Sequence, residues 1–235
     1  MTRERNPNIE ILELAVDQLA ELADEMVFLG GCATGLLITD PAAPPIRATK
    51  DVDAIVHVIS RAEYYQLADR LREKGFVEDI SDDAPICRWK SETVILDVMP
   101  TDSKILGFGN EWYVPAIENA EVIVLPSGHK IRMVSAPYFL ITKLEAFEGR
   151  GNGDYLLSHD IEDVVAVLDG RPELVDEVKN TEPKLAMELV ARFKEKLGDQ
   201  IFVDSVYGHM PTDVISQERV EIIINTIEKI IGREG

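Results

Sequence analysis

Apolar residues recur along this chain with two different periods, and the change from one to the other divides it. Over residues 9–26, Ile11, Leu12, Ala15, Leu19 and Leu22 fall on one stripe of 3.6-residue spacing with Asp and Glu opposite, which predicts an amphipathic helix. A short apolar segment, 26–29, leads into Gly30 and Gly31, and a second helix is expected over 32–38. Pro41, Pro44 and Pro45 forbid a continued helix, so 40–46 reads as a loop. Residues 49–58 read as a strand, and 61–74 as an amphipathic helix stopped at Gly75. Strands are expected around 86–89 and 93–98, and 104–132 reads as further short strands and turns. Beyond Ser135 the period becomes helical, with helices predicted over 137–148, 155–168, 172–179, 183–197 and 218–231. No internal repeat or low-complexity tract is present. The reading is an α/β fold: a mixed-sheet core over 1–134 and a helical region over 135–235, packed on it.

Composition changes this picture little. Of 235 residues, 46% are hydrophobic and 29% charged, which is ordinary for a globular protein and excludes wholesale disorder. The apolar runs are too short to cross a bilayer, and the charged segment 1–8 does not resemble a signal peptide. Two cysteines, Cys32 and Cys87, make no disulfide framework, so a reduced, cytoplasmic protein is expected. The net charge of −19 matters more. A field that negative repels long polyanions, although a nucleoside triphosphate remains possible if metal ions and a few local cations offset its charge.

The candidate chemistry sits in the first half. Asp51 and Asp53 flank Val52 within an apolar strand, and side chains two apart on a strand share a face. Two carboxylates there repel unless solvated or bridged by a cation, and a hard divalent ion wants oxygen ligands of this kind. Asp97 interrupts Val94-Ile95-Leu96-Asp97-Val98-Met99, a stretch suited to a buried strand, where an unpartnered charge is costly. If the two strands are neighbours, the three carboxylates converge. The bland alternatives are a solvated strand end and an edge aspartate facing water. Gly30-Gly31, ahead of a helix start, offers close backbone approach and free N–H groups to a phosphate; its bland reading is a tight turn. The apolar stripe Val220, Ile223, Ile224, Ile227, Ile230 and Ile231 reads as core, or as a homodimer contact if exposed. The four histidines lack zinc spacing, Cys32 has no histidine partner in its motif, and no Walker loop is present.

The order of these parts resembles the polymerase β-type nucleotidyltransferases. Gly30-Gly31 with Leu36 downstream, then Arg47-Ala48-Thr49-Lys50-Asp51-Val52-Asp53, then Leu96-Asp97-Val98 look like that superfamily's signature. The Arg-x-Thr-x-Asp-x-Asp form is most similar to the abortive-infection toxin branch. That branch also carries a lysine, an arginine and a basic-Asp-x-x-Asp motif, matched in order by Lys143, Arg150 and His159-Asp160-Ile161-Glu162-Asp163. The resemblance spans residues 27–168. Cys32 stands where the family more often has a small or hydroxyl residue, and His159 where lysine or arginine is usual. These departures bear on the acceptor and on triphosphate positioning rather than on the metal site.

The resemblance implies a polymerase β-like nucleotidyltransferase core and a Mg2+ (or Mn2+)-dependent transfer of a nucleoside monophosphate from an NTP to an acceptor hydroxyl. It implies Asp51, Asp53 and Asp97 as metal ligands and catalytic residues. Gly30, Gly31, Cys32, Thr49 and Lys143 would be nucleotide-binding, with Arg47, Arg150, His159, Asp160 and Asp163 in support. The acceptor stays open among a tRNA end, a protein and a small molecule, the acidity tilting away from RNA. The alternative is a noncatalytic nucleotide-sensing or toxin–antitoxin module on the same fold, with an antitoxin partner.

Overall fold

The computed structural model describes residues 6–150 and 153–232, so the charged residues 1–5 lie outside it. The chain forms two compact units: Met1–Gly35 with Arg47–Ser135, and Leu36–Ile46 with Ala136–Gly235. The Pro-rich segment, which sequence alone leaves in the first half, thus joins the second unit.

The first unit is built on one mixed sheet, and the protein is of the α/β class. Its strands are β1 (Met26–Leu29), β2 (Asp51–Val56), β3 (Val77–Glu78), β4 (Arg88–Lys90), β5 (Ile95–Pro100), β6 (Glu121–Val124) and β7 (Lys130–Met133), in the order β3-β4-β5-β2-β1-β7-β6. β2 runs parallel to β5 and antiparallel to β1. The central strand β1 is a continuous apolar run with every residue buried, as expected for a strand covered on both faces.

Helix α1 (Pro7–Leu19) starts with Pro at its first position and Asn6 as cap, its side chain accepting from the Asn8 N–H. It is shorter than the predicted 9–26. Ala20 adopts a positive φ of 51°, and the chain continues as a 3-10 turn, Ala20–Glu25. The glycine pair opens α2 (Gly30–Leu37), and α3 (Arg61–Glu73) is capped by Ser60 and ends before Gly75, whose φ is +85°. Region 104–132 differs from expectation: two short helices, α4 (Ser103–Leu106) and α5 (Tyr113–Glu118), precede the β6–β7 hairpin. The Asp102 cap and the buried Tyr113, Ala116 and Ile117 support them against weak periodicity.

The second unit is helical: α6 (Ala136–Gly149), α7 (His159–Gly170), α8 (Leu174–Asn180), α9 (Pro183–Gly198), α10 (Gln200–His209), α11 (Val214–Glu218) and α12 (Val220–Ile230). The predicted helix over 155–168 begins only at His159, because Ser158 caps it and Asp154 folds the preceding residues into a turn. α12 lays Val220, Ile223, Ile227 and Ile230 into the core against α7, α8 and α9, so these four positions of the stripe are core, while Ile224 and Ile231 stay partly exposed. Among the described residues no helix is long and apolar enough to cross a membrane.

Candidate functional site

β2 and β5 pair in register with Asp53 opposite Asp97, and β4 pairs with β5 so that Arg88 is also opposite Asp97. Residues in register project to one side of a sheet, and alternation adds Asp51. Three carboxylates and one guanidinium therefore share a face. Their neighbours Val52, Ala54, Trp89, Leu96 and Val98 alternate onto the other face and are buried. The convergence expected of Asp51, Asp53 and Asp97 is present at the level of strand pairing.

Arg88 was not among the sequence candidates, yet it organises this face. Its Nε donates to Asp97 Oδ1 at 2.8 Å, and its Nη2 donates to Asp97 Oδ2 and Asp51 Oδ2 at 2.7 Å each. Its hydrogen bond to Asp97 raises the guanidinium's pKa further, with the charges of Asp97 and Asp51 assisting against burial. Thr49 Oγ1 donates to the remaining Asp51 oxygen, Oδ1, at 2.6 Å. The sequence held one signal for Arg88. The alternation Cys87-Arg88-Trp89-Lys90 leaves a basic residue on a strand face in need of a partner, but the partner depends on strand pairing.

The glycine turn lies against the same residues. Gly30 has φ +75°, and a Cβ placed on it would sit 1.9 Å from Asp53 Oδ2. A Cβ on Gly31 would meet Thr49 Cβ at 3.3 Å and Arg47 Nη2 at 3.6 Å. The sequence candidates Gly30, Gly31, Arg47, Thr49, Asp51 and Asp53 are thus brought together. Asn8, another residue sequence reading passed over, fixes the group from behind. Fully buried, it donates through Nδ2 to Gly31 O (3.2 Å) and Arg47 O (2.9 Å) and accepts from Thr49 N (2.9 Å). Asn8→Ala leaves those three backbone groups without this partner and is expected to destabilise the protein by about 3 kcal/mol. Urea unfolding measures this; a change under about 0.5 kcal/mol would refute the role.

The thiols do not face the chemistry as nucleophiles. Cys32 is buried, with Sγ 3.3 Å from the Leu29 carbonyl oxygen. Burial, assisted by the charges of Asp97 and Asp53, pushes the Cys87 thiol up to about 12.

The remaining candidates lie in the second unit. Lys143 on α6 pairs with Asp163 Oδ2 (2.6 Å) and Asp160 Oδ1 (3.3 Å), and Arg150 reaches Asp160 Oδ2 (3.0 Å). The lysine side chain is only 14% exposed and both aspartates are buried, so this is no solvated helix face. His159 is exposed and pairs with Glu162. Lys143→Ala leaves two buried carboxylates without their shared cation and is expected to cost about 3 kcal/mol. Adding Asp163→Asn should recover part of that loss in the same urea assay. A single variant as stable as wild type would count against the pairing.

Three carboxylates and the Thr49 hydroxyl on one sheet face form a hard-oxygen donor set of the kind magnesium or manganese takes, so donor chemistry fits a divalent ion. Their present orientation does not display it: Asp51 and Asp97 are turned onto Arg88, and among the described residues no three Asp, Glu, His or Cys side chains stand grouped to hold a metal.

No family model matches the chain, and no curated protein matches it. Solved structures do resemble it. An antigenic nucleotidyltransferase-like protein from Paracoccidioides brasiliensis is similar at 20% identity and TM-score 0.48, over 86% of this chain and 92% of that one. A protein from H. pylori described as a candidate nucleotidyltransferase is similar at 17% identity and TM-score 0.47, over 98% and 96%. JHP933 from Helicobacter pylori is similar at 15% identity and TM-score 0.44, over 97% and 94%. Similarity at these levels assigns the chain to no family.

Proposed function

We propose that this protein is a metal-dependent nucleotidyltransferase that moves a nucleoside monophosphate from an NTP to an acceptor hydroxyl. The observation that carries the reading is the gathering of Asp51, Asp53 and Asp97 on one face of adjacent strands, with Gly30 against Asp53. The order of those motifs in the sequence, which resembles the polymerase β-type enzymes, supports it. Asp51, Asp53 and Asp97 would hold the divalent ion, which when bound supplies charge neutralisation to the triphosphate and to the attacking oxygen.

The chain's own contribution is positional. Gly30 and Gly31 place no side chain where α2 begins, both lying buried against Asp53 and Thr49, and the N–H groups of a helix's first turn have no partners within the helix. A phosphate can approach such a turn closely, and any side chain on Gly30 would collide with Asp53. Asn8 holds the turn and the strand entry in fixed register. Arg47, whose guanidinium lies beside Gly31, supplies a cation at the same turn.

A second reading, a noncatalytic nucleotide-sensing or toxin–antitoxin module, draws on Arg88, which pairs with two of the three carboxylates without a metal. One experiment separates the two. Each of the four α-32P-labelled NTPs is incubated with the protein, Mg2+ or Mn2+, and in turn RNA, protein and small-molecule fractions of a cell lysate. Transfer of label to one fraction, lost with EDTA, supports the enzyme. Nucleotide binding without transfer to any fraction supports the module. The acceptor class (tRNA end, protein or small molecule) is read from the same result.

A further inference from the structure

The carboxylates of this face carry their own cation. All four oxygens of Asp51 and Asp97 accept hydrogen bonds: both Asp97 oxygens and Asp51 Oδ2 from Arg88, and Asp51 Oδ1 from Thr49. The guanidinium is held as a fork on one carboxylate and a bridge to the other, which a point charge cannot reproduce. Its side chain is 21% exposed, so the pairs are only partly screened by water. A divalent ion needs the same oxygens and is repelled by a guanidinium seated on them.

We infer that Arg88 is the resident counter-ion of the site, and that a divalent metal ion enters only by exchange with it. This rests on the reading of Asp51, Asp53 and Asp97 as a metal site. Two consequences follow from charge alone. The free energy of withdrawing Arg88 is subtracted from the affinity for metal, so the protein without nucleotide binds metal weakly. A triphosphate offers the released guanidinium a new anionic partner, so nucleotide and metal each tighten the other's binding, by equal factors. The site stays closed to stray cations until its substrate arrives.

The test measures Mn2+ affinity by calorimetry in wild type, Arg88→Gln, Arg88→Lys and Asp53→Asn, each with and without a nonhydrolysable triphosphate. Arg88→Gln removes the competing charge and keeps some hydrogen bonding. It should bind Mn2+ about tenfold more tightly without nucleotide, and the triphosphate should then tighten Mn2+ much less than in wild type. Arg88→Gln should also melt lower than wild type in EDTA and regain the difference when Mn2+ is added. Arg88→Lys keeps the charge but loses the fork, so its affinity should fall between the two; it decides the matter if Arg88→Gln does not fold. Mn2+ binding that Asp53→Asn abolishes but Arg88 variants leave unchanged or weaken would overturn the exchange and leave the metal site standing. Absence of Mn2+ binding in wild type and Arg88 variants alike would overturn both.

Discussion

Asp53→Asn is expected to lower nucleotidyl transfer by about a thousandfold and to abolish the thermal stabilisation that Mn2+ confers. The two effects have one cause. Asp53 shares its sheet face with Asp51 and Asp97, and like charges so placed raise the energy of the metal-free fold. A divalent ion relieves that repulsion and so stabilises the fold by binding it. In the metal-bound state Asp53→Asn removes an anionic ligand, and a loss of about 4 kcal/mol of transition-state stabilisation is a thousandfold in rate. A residue with a purely structural role would instead lower stability and leave both Mn2+ stabilisation and turnover near normal. The measurements are single-turnover label transfer to whichever acceptor the labelling experiment identifies and thermal melting with and without Mn2+. Transfer within about threefold of wild type would remove Asp53 from the metal site.

The second large effect is expected at Gly30. Its φ of +75° is a conformation that an alanine adopts only at a cost of about 1 kcal/mol. The added Cβ would also stand 1.9 Å from Asp53 Oδ2 and 2.5 Å from its Cγ, so the carboxylate must move. Gly30→Ala should therefore lose about 3 kcal/mol of stability and nearly all transfer, since the displaced group is a proposed metal ligand. Gly31→Ala is the matched control. Its φ is not in the left-handed region, and its nearest neighbour is Thr49 Cβ at 3.3 Å, so a loss of about 1 kcal/mol or less is expected. Urea unfolding and label transfer on the pair check this. If Gly30→Ala were as stable and active as Gly31→Ala, the close approach of turn and carboxylate would be wrong.

The parts of the site that could be read from the sequence are those that depend on local spacing. Asp51 and Asp53 share a face because strand side chains alternate, and Asp97 stands out because it interrupts a buried run. Arg88 and Asn8 escaped because their importance comes from pairing across the fold. Nothing local says that residues 88–90 lie beside 95–97, and a lone Asn near a helix start reads as a cap. The missed helices have a related explanation. α10 contains Ile201, Phe202, Val203, Val206 and Tyr207, residues at home in strands, but its Asp199 cap and the burial of Phe202 and Val206 settle it as helix. Tyr155 carries a helical apolar pattern backwards past Ser158, yet its ring stacks on Phe147 at 5.0 Å from a non-helical segment.

The excursion of Leu36–Ile46 out of the first unit has a consequence for synthesis. Beyond a turn of its own at Asp40, it is anchored by residues made late: Gly170 O accepts from Thr39 N and Asp40 N, Arg171 Nη1 donates to Leu37 O, and Arg219 binds both Asp40 and the buried Asp169. As the chain leaves the ribosome, this segment must wait, hydrated and unanchored, while the sheet that flanks it in sequence is completed around it. A nascent chain stopped just after Val134 would hold every strand of the sheet, yet carry an internal loop whose anchoring partners have not been translated. The helical unit is thus closed by a piece of chain made before any of its helices, and its final assembly waits on the arrival of Arg219 and of α12 behind it.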